Sequence, residues 1–204
     1  MSKVNKIVKA IEVKAIFLGE SGVGKTNLIR AAMDEEFEEG TKSTSMANCV
    51  EKSVKVDKKY YSLKLWDTIG QEKFRTMAKI FYKGAKIVIF VYDITKLKSF
   101  EELEYWVNEV KHNLGDEPIC AIVGNKSDLV EDEEVEENTA RDYAFNKELK
   151  FKIVSAKTNP KDFQLFLEEL LNDYIQKFGD KIKDDQIIDI SRETVAENKK
   201  KKCC

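Results

Sequence analysis

Eight consecutive residues, Gly19-Glu20-Ser21-Gly22-Val23-Gly24-Lys25-Thr26, place three glycines, a lysine and a hydroxyl at the spacing G-x-x-x-x-G-K-[ST]. Glycine lets the backbone curl until successive N–H groups point into one concavity, and a helix beginning at the end of the loop adds partial positive charge. That is the chemistry of a phosphate cradle. Ser21, Gly22, Val23 and Gly24 offer backbone donors, Lys25 offers a cation to the β- and γ-phosphates, and Thr26 offers a hydroxyl to Mg2+. The loop alone implies a nucleotide and a metal, and leaves the base open.

Asn125-Lys126-Ser127-Asp128 addresses the base. A carboxylate in the base plane accepts from both N1–H and the exocyclic N2–H2 of guanine, a donor pair adenine lacks. Asp128 therefore selects guanine. The Lys126 stem covers the base face, and Asn125 either serves the base edge or pins the loops together.

These groups need elements to carry them. Val13 to Leu18 reads as a buried strand closed by Gly19, and Lys25 to Met33 has helical character. Val54 and Val56 alternate with charged residues and Leu63 and Leu65 flank Lys64, so two strands meet at a hairpin turn, Asp57-Lys58-Lys59. Ile87 to Tyr92, Ile119 to Val123 and Phe151 to Val154 read as further strands. Ser99-Phe100-Glu101-Glu102 has capping-box spacing and opens a helix striped by Phe100, Leu103, Val107, Val110 and Leu114. Glu131 to Glu137 is a solvated acidic loop or helix start, and Ala140 to Leu149 a helix. Pro160 opens the last helix, whose apolar stripe from Phe163 to Phe178 belongs to the core and which Gly179 stops. Strands alternating with helices, plus one hairpin, predict an α/β fold: a mostly parallel six-stranded sheet with one antiparallel edge strand and helices on both faces.

With 204 residues, 42% of them hydrophobic, one domain with a tail is expected. The boundaries are a domain over 1–179, with a short N-terminal extension, and a polar flexible tail over 180–204. A net charge of -2 supplies no basic field for nucleic acid. No stretch is long and apolar enough to cross a bilayer, and the lysine-bearing Met1 to Ile11 is not a signal peptide. The four cysteines, Cys49, Cys120, Cys203 and Cys204, fit no zinc site and no disulfide framework, which points to a reduced, cytosolic compartment.

With both motifs in order, the chain resembles the small GTPases of the Ras superfamily, and among them most the Rabs, from about Val13 to Phe178. The resemblance implies a Ras-like P-loop NTPase fold, GTP and GDP as ligands, and Mg2+. Trp66-Asp67-Thr68-Ile69-Gly70-Gln71-Glu72 is similar to the family's third motif, and Ser155-Ala156-Lys157 to its fifth, where a backbone N–H reads guanine O6. Thr44, nineteen residues after Lys25, stands where the family has the threonine that ligates Mg2+ and senses the γ-phosphate. Phe37 stands where the family places an aromatic beside the base, and Asn27 joins the implied nucleotide-binding set. Phe74-Arg75-Thr76 and Phe81-Tyr82-Lys83-Gly84-Ala85 also resemble Rab sequence. By this resemblance Thr26 and Thr44 ligate the metal directly and Asp67 through water, Gly70 N–H meets the γ-phosphate, and Gln71 orients the attacking water. No arginine stands in a catalytic place within the loops, so hydrolysis is expected to be slow alone and fast with a GTPase-activating protein. The other implied partners are an exchange factor, effectors, a prenylation escort and a GDP-dissociation inhibitor. Switch segments are expected near Glu38 to Val50 and Asp67 to Ile80.

The chain also departs from the Rab pattern. After Thr44 a Rab reads Ile-Gly, a variable residue, then Asp-Phe; here Ser45-Met46-Ala47-Asn48-Cys49 stands instead. The missing aromatic normally packs with Trp66 and with the residue that is here Phe81. Ile69 replaces the usual alanine and stiffens the backbone beside Gly70. The chain ends in four lysines and Cys203-Cys204, which resembles the doubly prenylated ends of Rabs and implies the cytoplasmic face of endomembranes. Ile188-Asp189-Ile190 resembles the aliphatic pair by which Rab tails meet the escort; a solvated pair is the alternative. The functional reading is a Rab-like switch in vesicle traffic. Its rivals are a non-cycling guanine-nucleotide-binding scaffold with altered first switch, and a P-loop ATPase, which Asp128 disfavours.

Overall fold

The apolar runs become the strands of one sheet. The computed structural model describes residues 7–40, 44, 46–68, 81–179, 182 and 187–191. In chain order the elements are β1 (Ile7–Leu18), α1 (Lys25–Ala32), β2 (Asn48–Val56), β3 (Lys59–Asp67), β4 (Ile87–Asp93), α2 (Leu97–Glu101), α3 (Leu103–Leu114), β5 (Ile119–Asn125), a 3-10 turn (Ser127–Asp132), α4 (Glu137–Asn146), β6 (Lys150–Ile153), α5 (Pro160–Phe178) and β7 (Ile187–Ser191). The sheet runs β2-β3-β1-β4-β5-β6. β2 pairs antiparallel with β3, while the pairings of β3, β1, β4, β5 and β6 are parallel.

Period-2 alternation in β1 sorts the two faces. Val13, Ala15 and Phe17 face α1 and α5, where Leu28, Ile29, Phe163 and Leu170 are buried. Ile16 and Leu18 face α3 and α4, where Trp106, Val110, Ala140 and Ala144 are buried. Helices therefore cover both faces, and the parallel strands end at one edge. That edge receives Gly19 after β1, Asp67 ending β3, Asp93 ending β4 and Asn125 ending β5.

Two features differ from the sequence reading. First, the sheet has seven strands. β1 begins six residues before Val13, and its overhang pairs antiparallel with β7, Ile7 opposite Ser191 and Ile11 opposite Ile187. Residues 187–191, expected in a flexible tail, are thus a strand. The overhang's free edge supplies hydrogen-bond partners that local composition does not reveal, and Ile190 is buried there. Second, Ser99 is no N-cap. It lies inside α2, where its hydroxyl accepts from Asp93 N–H at 3.0 Å and donates to Lys96 C=O at 2.7 Å. Cys120 is a free thiol held in an apolar run, as the sequence suggests.

Candidate functional site

The loop after β1 closes on itself through three glycines with positive φ, and at two of them a side chain would also clash. Gly19 has φ 141°, and a Cβ there would stand 2.1 Å from the Val91 carbonyl oxygen of β4. Gly24 has φ 98°, caps α1, and would drive a Cβ to 2.2 Å from Asn125 Nδ2. Only glycine meets both the backbone conformation and the close approach. The curl brings Lys25 inward. Its side chain is buried, and Nζ donates to the carbonyls of Gly19 and Glu20, each at 2.8 Å. Burial pushes the ammonium pKa down to about 8, against the weaker opposing pull of the Asp67 and Glu20 carboxylates.

Beside it three oxygens converge from three segments. Thr26 Oγ1, in the first turn of α1, lies 3.0 Å from Thr44 Oγ1 and donates to Asp67 Oδ2 at 2.7 Å. Thr44 Oγ1 reaches the same Oδ2 at 3.4 Å. Asp67 is buried, which raises its pKa; hydrogen bonds from Thr26 and Thr44 and the charge of Lys25 oppose that rise. Its other oxygen, Oδ1, is buried without a hydrogen-bond partner among the described residues. Two hydroxyls and one carboxylate form a hard-oxygen donor set, and an orphaned carboxylate oxygen marks capacity for another ligand; both suit Mg2+.

At the other end the protein holds its own polar groups. Asn125 donates to the Val23 carbonyl at 2.9 Å and accepts from Ala156 N–H at 3.2 Å, so it pins the phosphate loop to the loop after β6. Of the two roles left open by the sequence, pinning is the one these bonds perform. Lys126, in the left-handed region with φ 71°, points its ammonium to Asp93 Oδ2 at 2.5 Å and lays its stem along the cavity. Ser155 Oγ donates to Asp128 Oδ1 at 2.6 Å, and itself accepts from the N–H groups of Lys157 and Thr158. Ser155 thus positions Asp128. Between the two ends lies a cavity of about 370 Å³, lined by Ser21, Gly22, Gly24, Lys25, Thr26, Asn27, Phe37, Thr44, Asn125, Lys126, Asp128, Ala156 and Lys157. Val23 turns its side chain into the core and contributes its carbonyl to Asn125.

Gly70 and Gln71 fall outside the described residues, as do Ile69, Cys203 and Cys204. Three residues have supporting roles that the sequence reading did not assign. Asp93 is fully buried and holds Lys126. Thr68 donates to the Phe17 carbonyl at 2.5 Å and ties the end of β3 to β1. Arg30 organises the segment before Thr44. Asp93 left a trace in the sequence, as an acid ending an apolar strand, and Thr68 stands inside the third motif; Arg30 left none. At the altered first switch, Cys49 stands opposite Trp66 in the β2–β3 register. Trp66 and Phe81 remain in contact, ring centroids 5.9 Å apart, and Lys14 Nζ stands 4.8 Å from the Trp66 ring.

The sequence profile of the Ras family matches residues 14–176. The Ras-related protein Rab-22A of Homo sapiens is 36% identical over 157 residues, 77% of this chain and 81% of that protein. The Ras-related protein Rab-21 of Geodia cydonium is 37% identical over 158 residues, 78% of this chain and 69% of that protein. The Ras-related protein RabJ of Dictyostelium discoideum is 35% identical over 159 residues, 78% of this chain and 62% of that protein.

Proposed function

Because this chain belongs to the Ras family, as a Rab-like small GTP-hydrolysing enzyme, we propose that it is a guanine-nucleotide switch of vesicle traffic whose site is the cavity between Lys25 and Asp128. One observation carries the reading. A single cavity joins a buried lysine and a hard-oxygen cluster at one end to an oriented carboxylate at the other. Ras-like GTPases bind GTP or GDP, generally with Mg2+. Here Thr26, Thr44 and Asp67 would hold the ion, which supplies charge neutralisation for phosphoryl transfer.

The remaining roles belong to the chain's own groups. Lys25 sits behind the phosphate loop to meet the β- and γ-phosphates. Ser155 orients Asp128 for the guanine N1–H and N2–H2 edge. Gln71 orients the attacking water, and Gly70 N–H meets the γ-phosphate. Thr44 couples that phosphate to the first switch, so hydrolysis releases the segment that effectors read. Among the described residues nothing favours a non-cycling scaffold, since Thr26, Thr44 and Asp67 already stand within reach of one another. An activator, an exchange factor, effectors, an escort and a GDP-dissociation inhibitor are the partners this cycle calls for. Prenylation of Cys203 and Cys204, with the adjacent lysines, would attach the chain to a cytoplasmic membrane face. Among the described residues no helix is long and apolar enough to cross a membrane.

Single-turnover hydrolysis, with GTP and ATP competing against labelled GDP, tests the core of this reading. GTP displaces the label and is cleaved slowly, and ATP does not displace it. Displacement by ATP, or fast unassisted turnover, overturns it. Mass spectrometry of the native chain tests the lipid.

A further inference from the structure

Phe37 lines the cavity from a segment with no regular structure, and the residue is 37% exposed. Burial alone does not fix an aromatic on such a segment. Polar anchors do so from two sides. Arg30, in the last turn of α1, spreads its guanidinium across the segment: Nε and Nη2 donate to the Glu36 carbonyl at 3.2 and 3.0 Å, and Nη1 donates to Glu38 Oε2 at 2.6 Å. The Arg30 carbonyl in turn accepts from Glu35 N–H at 3.0 Å. From the opposite side Lys157 Nζ stands 5.7 Å from the Phe37 ring and 3.4 Å from Glu39 Oε1. The residues on either side of Phe37 are thus both held by one arginine fork. A planar guanidinium holds a carbonyl and a carboxylate at once, which a lysine point charge does not.

We propose that Arg30 is a positioning residue that holds the Phe37 segment closed over the base end of the cavity and so slows nucleotide release. This rests on the reading of the cavity as a guanine-nucleotide site with Phe37 beside the base. The Arg30 side chain does not line the cavity but bonds Glu38, which does, so its effect passes through the segment. Release of a fluorescent GDP analogue from the full chain, followed by stopped flow, tests it in four variants: Phe37→Ala, Arg30→Gln, Arg30→Lys and the Phe37→Ala/Arg30→Gln double.

Arg30→Gln speeds release by about tenfold, the scale of losing charge-assisted bonds at a half-exposed site. Arg30→Lys restores only part of this, and association rates change much less than release rates. In the double variant Arg30→Gln adds little to Phe37→Ala, because the ring through which it acts is gone. A merely structural role would instead add its full effect there. If Phe37→Ala speeds release and Arg30→Gln does not, the clamp is refuted while the base-end reading stands. If Phe37→Ala also leaves release unchanged, that reading fails and the clamp falls with it.

Discussion

At the base end of the cavity the protein satisfies its own polar groups before any ligand arrives. Asn125 bridges two buried backbone groups, Lys126 is neutralised by a fully buried Asp93, and Ser155 fixes Asp128. At the phosphate end the groups are assembled without full satisfaction. Lys25 keeps a buried ammonium whose pKa burial has lowered to about 8, and Asp67 Oδ1 has no hydrogen-bond partner among the described residues. On the proposed reading, one end is a finished template for a flat, neutral base, and the other is a polar arrangement that anionic oxygens and a cation would complete. Base selection would then depend on preorganised positions, and affinity on relieving unmet electrostatics at the other end.

Substitutions at the two ends should separate in kind. The largest effect is expected from Lys25→Ala: GDP affinity falls by at least about 100-fold, the loss of charge-assisted contacts in a dry site. The midpoint of thermal unfolding without nucleotide moves much less. In the ligand-free chain Lys25 loses its proton as pH rises through about 8, while an unfolded lysine keeps it to 10.5. GDP binding above pH 8 should therefore take up a proton in wild type and not in Lys25→Ala, as calorimetry in two buffers would show. Equal proton uptake in both would remove the unmet charge from the comparison.

Asp128→Ala comes next. GDP affinity drops about 10- to 100-fold, and the preference for GDP over IDP, which lacks the N2–H2 donor, disappears. If that preference survives, another group reads the base. Asn125→Ala should act mainly on stability. It leaves the Val23 carbonyl and Ala156 N–H buried without partners, at about 1–3 kcal/mol each, so thermal unfolding falls by several degrees with or without nucleotide. A loss seen only with nucleotide bound would make Asn125 a base contact instead of a pin.

Glu104 lies away from both ends and provides the smallest effect. Hydrogen bonds from Lys147 and Tyr143 lower its pKa to about 2, tying α3 to α4 at an exposed site. The folded pKa is depressed, so its contribution is present above the ordinary carboxylate range and is lost as pH falls through about 2. Glu104→Gln should lower the unfolding midpoint by about a degree or two at pH 7, with the gap closing toward pH 2. A pH-independent gap would assign the effect to packing.

The sequence by itself determined the parts that local chemistry dictates. Glycines in Gly19–Thr26 announce a curled loop, because no other residue takes those φ values beside Val91 and Asn125. The apolar runs and the α5 stripe announce the sheet and its helices, because period and length follow from burial. Asp128 leads to the expectation of guanine, because a carboxylate matches that base's donors. Tertiary structure alone decided which partners meet across the chain. Asn125 and Val23 are 102 residues apart, Lys126 and Asp93 are 33 apart, and the two strands that pair as β1 and β7 lie at opposite ends of the described chain. Arg30 reads locally as an ordinary charged residue on a helix face; only the path of residues 35–38 makes it a clamp. Long-range hydrogen bonds depend on which backbone groups the fold leaves unpaired, and that is a property of packed strands and loops, not of any window of sequence.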